Sequence, residues 1–314
     1  MRPALIALGC MLVLGSAGAP AAEPDYSQRL DPLWDFADPV ASEGRFRSEV
    51  SRWTPGSREA SEATTQVARS LGLQRRFAAA DRALDTVKPT LARLPVRVRV
   101  RYLLERGRRD NSSGHRDRAY AWFERALEAT VGDTLPGADF YRVDALHMLA
   151  IAAPLARQRA WNLQALATAD ASVDPRTRGW RSSLLNNVGW TMHERGDDEA
   201  ALAYWKEALV AAEAKGDVTV IRIARWTVAR GLRAVGRLDE AEAMQHALAK
   251  EFDAANSPDG YVYEELAEIA AARGDRTTAA SWATKALALL SDDAELRASE
   301  PARLARLAEL ARTH

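Results

Sequence analysis

Histidine is the side chain best suited to proton transfer or metal ligation near neutral pH. The chain has five, His115, His147, His193, His246 and His314, scattered without metal-ligand spacing. His193-Glu194 opens like a zinc-protease motif but lacks the second histidine four positions on. No serine stands in a Gly-x-Ser-x-Gly elbow, and no glycine pattern matches a phosphate-binding loop. The one cysteine, Cys10, lies in an apolar N-terminal run, so the remainder of the chain has no thiol chemistry. Asp and Glu total 43, and spread along helical segments they read as solvated faces and not as an acid/base pair. The expectation is a protein that is not an enzyme and that needs no cofactor and no metal.

Other side chains suit recognition. Arg222, Trp226 and Arg230 are four apart, which places them on one face of a helix. Guanidinium groups offer forked donors to carboxylates, indoles offer flat apolar area, and the Asn186-Asn187 pair can hold a peptide backbone.

The elements that must position these residues are helical. Helix formers dominate the 314-residue chain, which is long enough to bury a sizeable core. Lys+Arg and Asp+Glu are equal at 43 each, so no global field favours nucleic acid or an anionic membrane. At the N-terminus, Arg2 is followed by an apolar run from Ala4 to Leu14, then Gly15-Ser16-Ala17-Gly18 and Ala19-Pro20-Ala21. This pattern reads as a secretory signal peptide over residues 1–21, too short to span a bilayer, and predicts a periplasmic or secreted protein with no membrane insertion after cleavage. Cys10 reads as part of the apolar run and not as a lipid attachment site, since Ala7 stands where an aliphatic residue is needed and the run continues through Leu14.

An internal repeat organises the rest. Five residues after Gly114, Gly196, Gly236 and Gly274 stand Ala119, Ala201, Ala241 and Ala279. Twelve residues after them stand Ala126, Ala208, Leu248 and Ala286. Eight and seven residues before the last three glycines are Val188-Gly189, Val228-Ala229 and Leu266-Ala267, with Arg106-Gly107 in the first copy. Small residues at these positions let two antiparallel helices approach, and the later glycine supplies the left-handed residue that ends the first helix. Trp122 and Phe123, Tyr204 and Trp205, and Trp282 fill the remaining seam.

With these spacings the chain resembles the tetratricopeptide-repeat family. The clearest copy, Ser182 to Lys215, matches its pattern at Val188, Gly189, Gly196, Ala201, Trp205 and Ala208, followed by copies around Ile221–Phe252 and Gly260–Leu290. Weaker copies occupy residues 58–91 and 138–171. The glycines at 196, 236 and 274 are 40 and 38 residues apart, longer than the family's repeat of about 34, so connections or helices are lengthened. The resemblance implies an all-α, right-handed helix-turn-helix solenoid of about five to six repeats with helical caps.

The expected organisation is an extended segment over 22–37, a capping helix and turn over 38–57, repeats over 58–291 and a C-terminal capping helix over 292–314. Asp38-Pro39 is a good helix start, and Leu304, Leu307 and Leu310 line one side of the last helix. Val96-Arg97-Val98-Arg99-Val100-Arg101 alternates like a strand, but the register of its neighbours requires a first helix there.

In this family the first helix of each repeat lines the concave groove. Carried over, the resemblance places Asn186, Asn187, Trp190 and His193 in it, then Arg222, Trp226, Arg230 and Arg233, then Tyr261, Glu264 and Glu268. In the Arg-rich copy it places Arg101, Glu105, Arg108 and Asn111. This surface is similar to the family's carboxylate clamp but lacks the clamp's lysine-to-asparagine spacing. The implied partner is a protein or peptide, bound through an acidic or C-terminal segment by a non-catalytic scaffold of the cell envelope. Two alternatives stand beside it: a ligand-binding superhelix accessory to envelope or polysaccharide metabolism, and a structural role. In the structural role Trp190 and Trp226 pack between repeats while the arginines pair with Glu194, Glu264 and Glu268.

Overall fold

The computed structural model describes residues 26–132 and 137–312, and among these every regular element is helical. The proposed signal peptide lies outside the described residues. The described residues divide into two compact units, one up to Leu184 and one from Leu185 onward.

In the first unit, α1 (Tyr26–Leu30) and a 3-10 turn (Asp31–Leu33) precede α2 (Pro39–Val50). Antiparallel pairs follow: α3 (Arg58–Leu73) with α4 (Phe77–Val87), α5 (Val96–Ser112) with α6 (Arg116–Ala129), and α7 (Ala138–Ala152) with α8 (Leu155–Ala171). A single turn, α9 (Pro175–Arg178), leads into α10 (Arg181–Glu194), within which the second unit begins. There α10 pairs with α11 (Asp198–Lys215), α12 (Val218–Ala234) with α13 (Leu238–Ala254), and α14 (Gly260–Ala272) with α15 (Arg276–Leu290). The short α16 (Ala294–Ser299) and α17 (Pro301–Leu310) close the chain.

The turns follow from local chemistry. Gly114, Gly196, Gly236 and Gly274 have φ of +85°, +81°, +78° and +80°, the left-handed region that a side chain disfavours. The next residue's N–H then reaches back across the turn: Asp197 N–H donates to the Met192 carbonyl at 3.0 Å and Arg237 N–H to the Leu232 carbonyl at 2.8 Å. Asp197 and Asp275 immediately cap the following helices, accepting from Ala200 N at 3.1 Å and Thr278 N at 3.0 Å. One Gly-Asp step therefore ends one helix and begins the next.

Close helix approach within a pair rests on the small residues. A Cβ on Gly107 would lie 2.2 Å from the ring of Phe123, which is fully buried. The alternating run at Val96 is helical because its valines supply the buried side: Val98 and Val100 are buried, and Arg97 and Arg101 turn to Glu62 of α3.

The expectation of an extended segment over 22–37 is corrected in its described part. Tyr26 and Leu30, one turn apart in α1, are both buried, and the Tyr26 hydroxyl donates to Glu49 at 3.1 Å. Burial of these two side chains is what makes the segment helical.

Candidate functional site

The first helices of the second unit gather most of the residues singled out in the sequence. Trp190 on α10 and Trp226 on α12 have ring centroids 6.4 Å apart. The guanidinium of Arg230, one turn beyond Trp226, stands 5.5 Å from the Trp190 ring and 5.8 Å from the Trp226 ring. Such cation–π contacts hold a guanidinium flat without consuming its N–H donors. The Trp226 indole N–H is fixed by the Tyr261 carbonyl at 3.0 Å, and Trp190 packs edge-on against Trp205 at 5.0 Å. The aromatic walls are thus rigid.

Arg230 is the least satisfied charge in this group. Its Nε–H is buried and finds no acceptor. Its Nη1 reaches Glu265 only at 3.4 Å, because Glu265 is gripped by Arg233. Burial pulls the Arg230 pKa below the usual arginine value; Glu265 opposes the shift, and Arg233 and Arg303 add to it.

The remaining candidates are engaged within the fold. Glu264 is buried and held by both Nε and Nη2 of Arg303 on α17, at 2.6 and 2.5 Å. Arg303 also covers the Tyr261 ring at 4.8 Å. Glu268 accepts from Arg306 at 3.1 Å, and His193 bonds Asp198 at its own turn. Arg222 pairs with Glu251 at 3.3 Å and lies over Phe252. Asn187 is buried and Asn186 half-buried, the latter's carbonyl accepting the Trp205 indole N–H at 3.2 Å. The Asn186 backbone carbonyl thus joins the seam between α10 and α11.

Arg101 and Arg108 belong to the first unit, where Arg101 is buried and Arg108 half-buried. Arg101 donates to the Tyr141 hydroxyl at 3.2 Å and lies 3.3 Å from Glu62. Burial opposes its charge, but Tyr141, Glu62 and Asp31 outweigh it, so its pKa is raised. Arg108 bridges Glu105 at 2.5 Å and Asp144, with its pKa also raised against burial by the two carboxylates. Beside them His147 is pushed down to about 4 by burial; Asp144 opposes the shift, and Arg108 and Arg69 add to it. Among the described residues, no three His, Cys, Asp or Glu side chains converge as a metal site.

Glu265, Arg303, Glu62 and Asp144 were not singled out in the sequence, yet a signal was present. Arg97 stands 35 residues after Glu62, Asp144 stands 36 after Arg108, and Glu265 stands 35 after Arg230. Opposite charges about one repeat apart meet across consecutive first helices.

No protein-family model and no curated protein matches the sequence. Solved structures do match the fold. A signal-transduction ATPase with a tetratricopeptide-repeat sensor, PH0952 from Pyrococcus horikoshii, superposes with a TM-score of 0.66 at 15% identity over 90% of this chain and 43% of its own. NprR in complex with its cognate peptide NprX superposes with a TM-score of 0.55 at 15% identity, covering 92% and 84%. PilW, a type IV pilus biogenesis factor, gives 0.54 at 18% identity, covering 77% and 99%. The chain has the helix-turn-helix fold of the tetratricopeptide-repeat proteins.

Proposed function

We propose that this chain is a non-catalytic interaction scaffold that holds a peptide segment of a protein partner against the first helices of its second unit. Arg230 carries the reading. Its guanidinium stands beside the two indoles, 5.5 and 5.8 Å from their rings, partly exposed and with one N–H unsatisfied, so a carboxylate that reached it would complete its hydrogen bonding. An aspartate, a glutamate or a peptide C-terminus supplies that group, and Trp190 and Trp226 supply apolar area for its neighbours. NprR, which shares the fold, was solved with its cognate peptide, and this supports a peptide as the ligand class.

The compartment we infer is the cell envelope, on the signal-peptide pattern of residues 1–21. The likeness in fold to PilW agrees with it. No helix among the described residues is long and apolar enough to cross a membrane.

The test is binding of peptides ending in Asp, Glu or a free carboxylate to the intact chain, compared with the same peptides amidated and with Arg230→Ala. Binding that needs both the carboxylate and Arg230 supports the proposal. Binding indifferent to both contradicts it.

A further inference from the structure

The N-terminal segment of the first unit is seated on that unit as a ligand would be. It runs from Tyr26, bonded to Glu49 and edge-on to Trp53 at 5.7 Å, through Leu30, which is fully buried. Asp31 then pairs with Arg176 of α9, 145 residues away in sequence, at 3.0 and 3.2 Å. The Trp34 indole N–H donates to Gln66 of α3 at 3.1 Å. Trp34 and Phe36 stack in parallel, 4.7 Å apart and 2° from coplanar, and Arg69 of α3 stands 5.7 and 5.8 Å from the two rings.

The host residues receive from the segment contacts that match their chemistry. Gln66 Oε1 accepts an indole N–H, Arg176 faces a carboxylate and is braced 3.6 Å over Phe140, and Arg69 covers two rings while its carboxylate neighbour Glu105 is 3.5 Å away. The segment is also tied to α2, where Arg45 Nε donates to the Leu33 carbonyl at 2.7 Å and Ser42 Oγ accepts from Asp35 N–H at 2.8 Å. Tyr26 and Leu30 are its buried hydrophobic side chains, whereas Pro32, Asp35 and Ala37 are exposed and Trp34 and Phe36 half-buried. Its helix has five residues, far below the length that persists without tertiary support.

We propose that residues 26–36 are a built-in, displaceable occupant of a peptide site formed by Gln66, Arg69 and Arg176, and that the site takes peptides in which an acid stands three residues before an aromatic pair. A tethered segment competes at high effective concentration, so an external peptide binds only to the fraction of molecules in which the segment has lifted. This inference rests on the first unit alone and stands or falls independently of Arg230.

The experiment uses a dye-labelled synthetic peptide of residues 26–38, YSQRLDPLWDFAD, titrated with the intact chain and with an Asp31→Ala/Trp34→Ala chain. Weakening the tethered copy is expected to tighten binding in trans by about tenfold or more. Adding Arg69→Ala and Arg176→Ala should abolish it. No binding to the folded double variant, or binding unchanged by the host substitutions, would overturn the proposal. Hydrogen exchange on the parent chain gives an answer even where the variants fail to fold. Amides of residues 28–36 are expected to exchange well before those in the middle of α3 and α5, and exchange of all of them together would make the segment permanent core.

Discussion

A Cβ placed on Gly189 would lie 2.3 Å from Nε1 of Trp205, the largest fully buried side chain among the described residues. The same indole also excludes a side chain from Gly231, where a Cβ would lie 2.8 Å from its six-membered ring. One tryptophan therefore requires a glycine on each of two first helices. Gly189→Ala should destabilise the second unit by about 1–3 kcal/mol through overpacking, despite alanine's better helix propensity. Combining it with Trp205→Leu should recover part of that loss. Urea denaturation of the two variants checks both, and a neutral or stabilising Gly189→Ala would show that the seam has room.

The seam was legible in the sequence for this reason. Glycine and alanine at fixed distances from a turn glycine have few explanations other than close helix contact, so Gly189, Ala201 and Trp205 announced their roles. The charged face was harder to read. Arg222, Arg230, Glu264 and Glu268 were recognisable as first-helix positions, but their partners depend on register between helices some 35 residues apart, which local spacing does not fix. Arg303 was hidden for a different reason: in the sequence it looks like the polar side of a terminal helix, whereas in the fold it is buried on Glu264. Tyr26 and Leu30 gave a signal of only two apolar positions in a polar stretch, too little to indicate a helix without the surface that receives them.

The Arg303–Glu264 pair should be costly to break from one side. Both residues are buried, so Arg303→Ala leaves a carboxylate without its bidentate partner, an expected loss of about 3 kcal/mol. Arg303→Met combined with Glu264→Leu removes both charges together and should recover most of it. A double variant as unstable as Arg303→Ala would mean that packing, and not the stranded charge, sets the cost.

His147 gives a pH dependence with a defined sign. Its pKa falls from 6.5 to about 4 on folding, so below pH 6.5 the unfolded chain takes up a proton that the folded chain refuses. Its contribution to stability is therefore complete above pH 6.5 and is lost as pH falls toward 4, by on the order of 2–3 kcal/mol. A His147→Gln variant should lose less stability than the parent between pH 7 and pH 4.5. Parallel curves for the two proteins would place an ordinary histidine at this position.

Asp197 joins the left-handed Gly196 to the start of α11 by accepting from Ala200 N. Asp197→Ala should cost about 1 kcal/mol, and Asp197→Ser should retain most of the cap. Equal losses for the two would point to the charge at the helix N-terminus in place of the hydrogen bond.

The most direct test of the scaffold reading is selection of a random peptide library, with free C-termini and internal acids, on the intact chain, followed by affinity measurement on the parent and on Arg230→Ala. Selected peptides are expected to share a carboxylate flanked by apolar residues and to lose about tenfold or more in affinity with Arg230→Ala, as for a charge-assisted hydrogen bond. A library that yields no binder, or binders that Arg230→Ala leaves untouched, would contradict it.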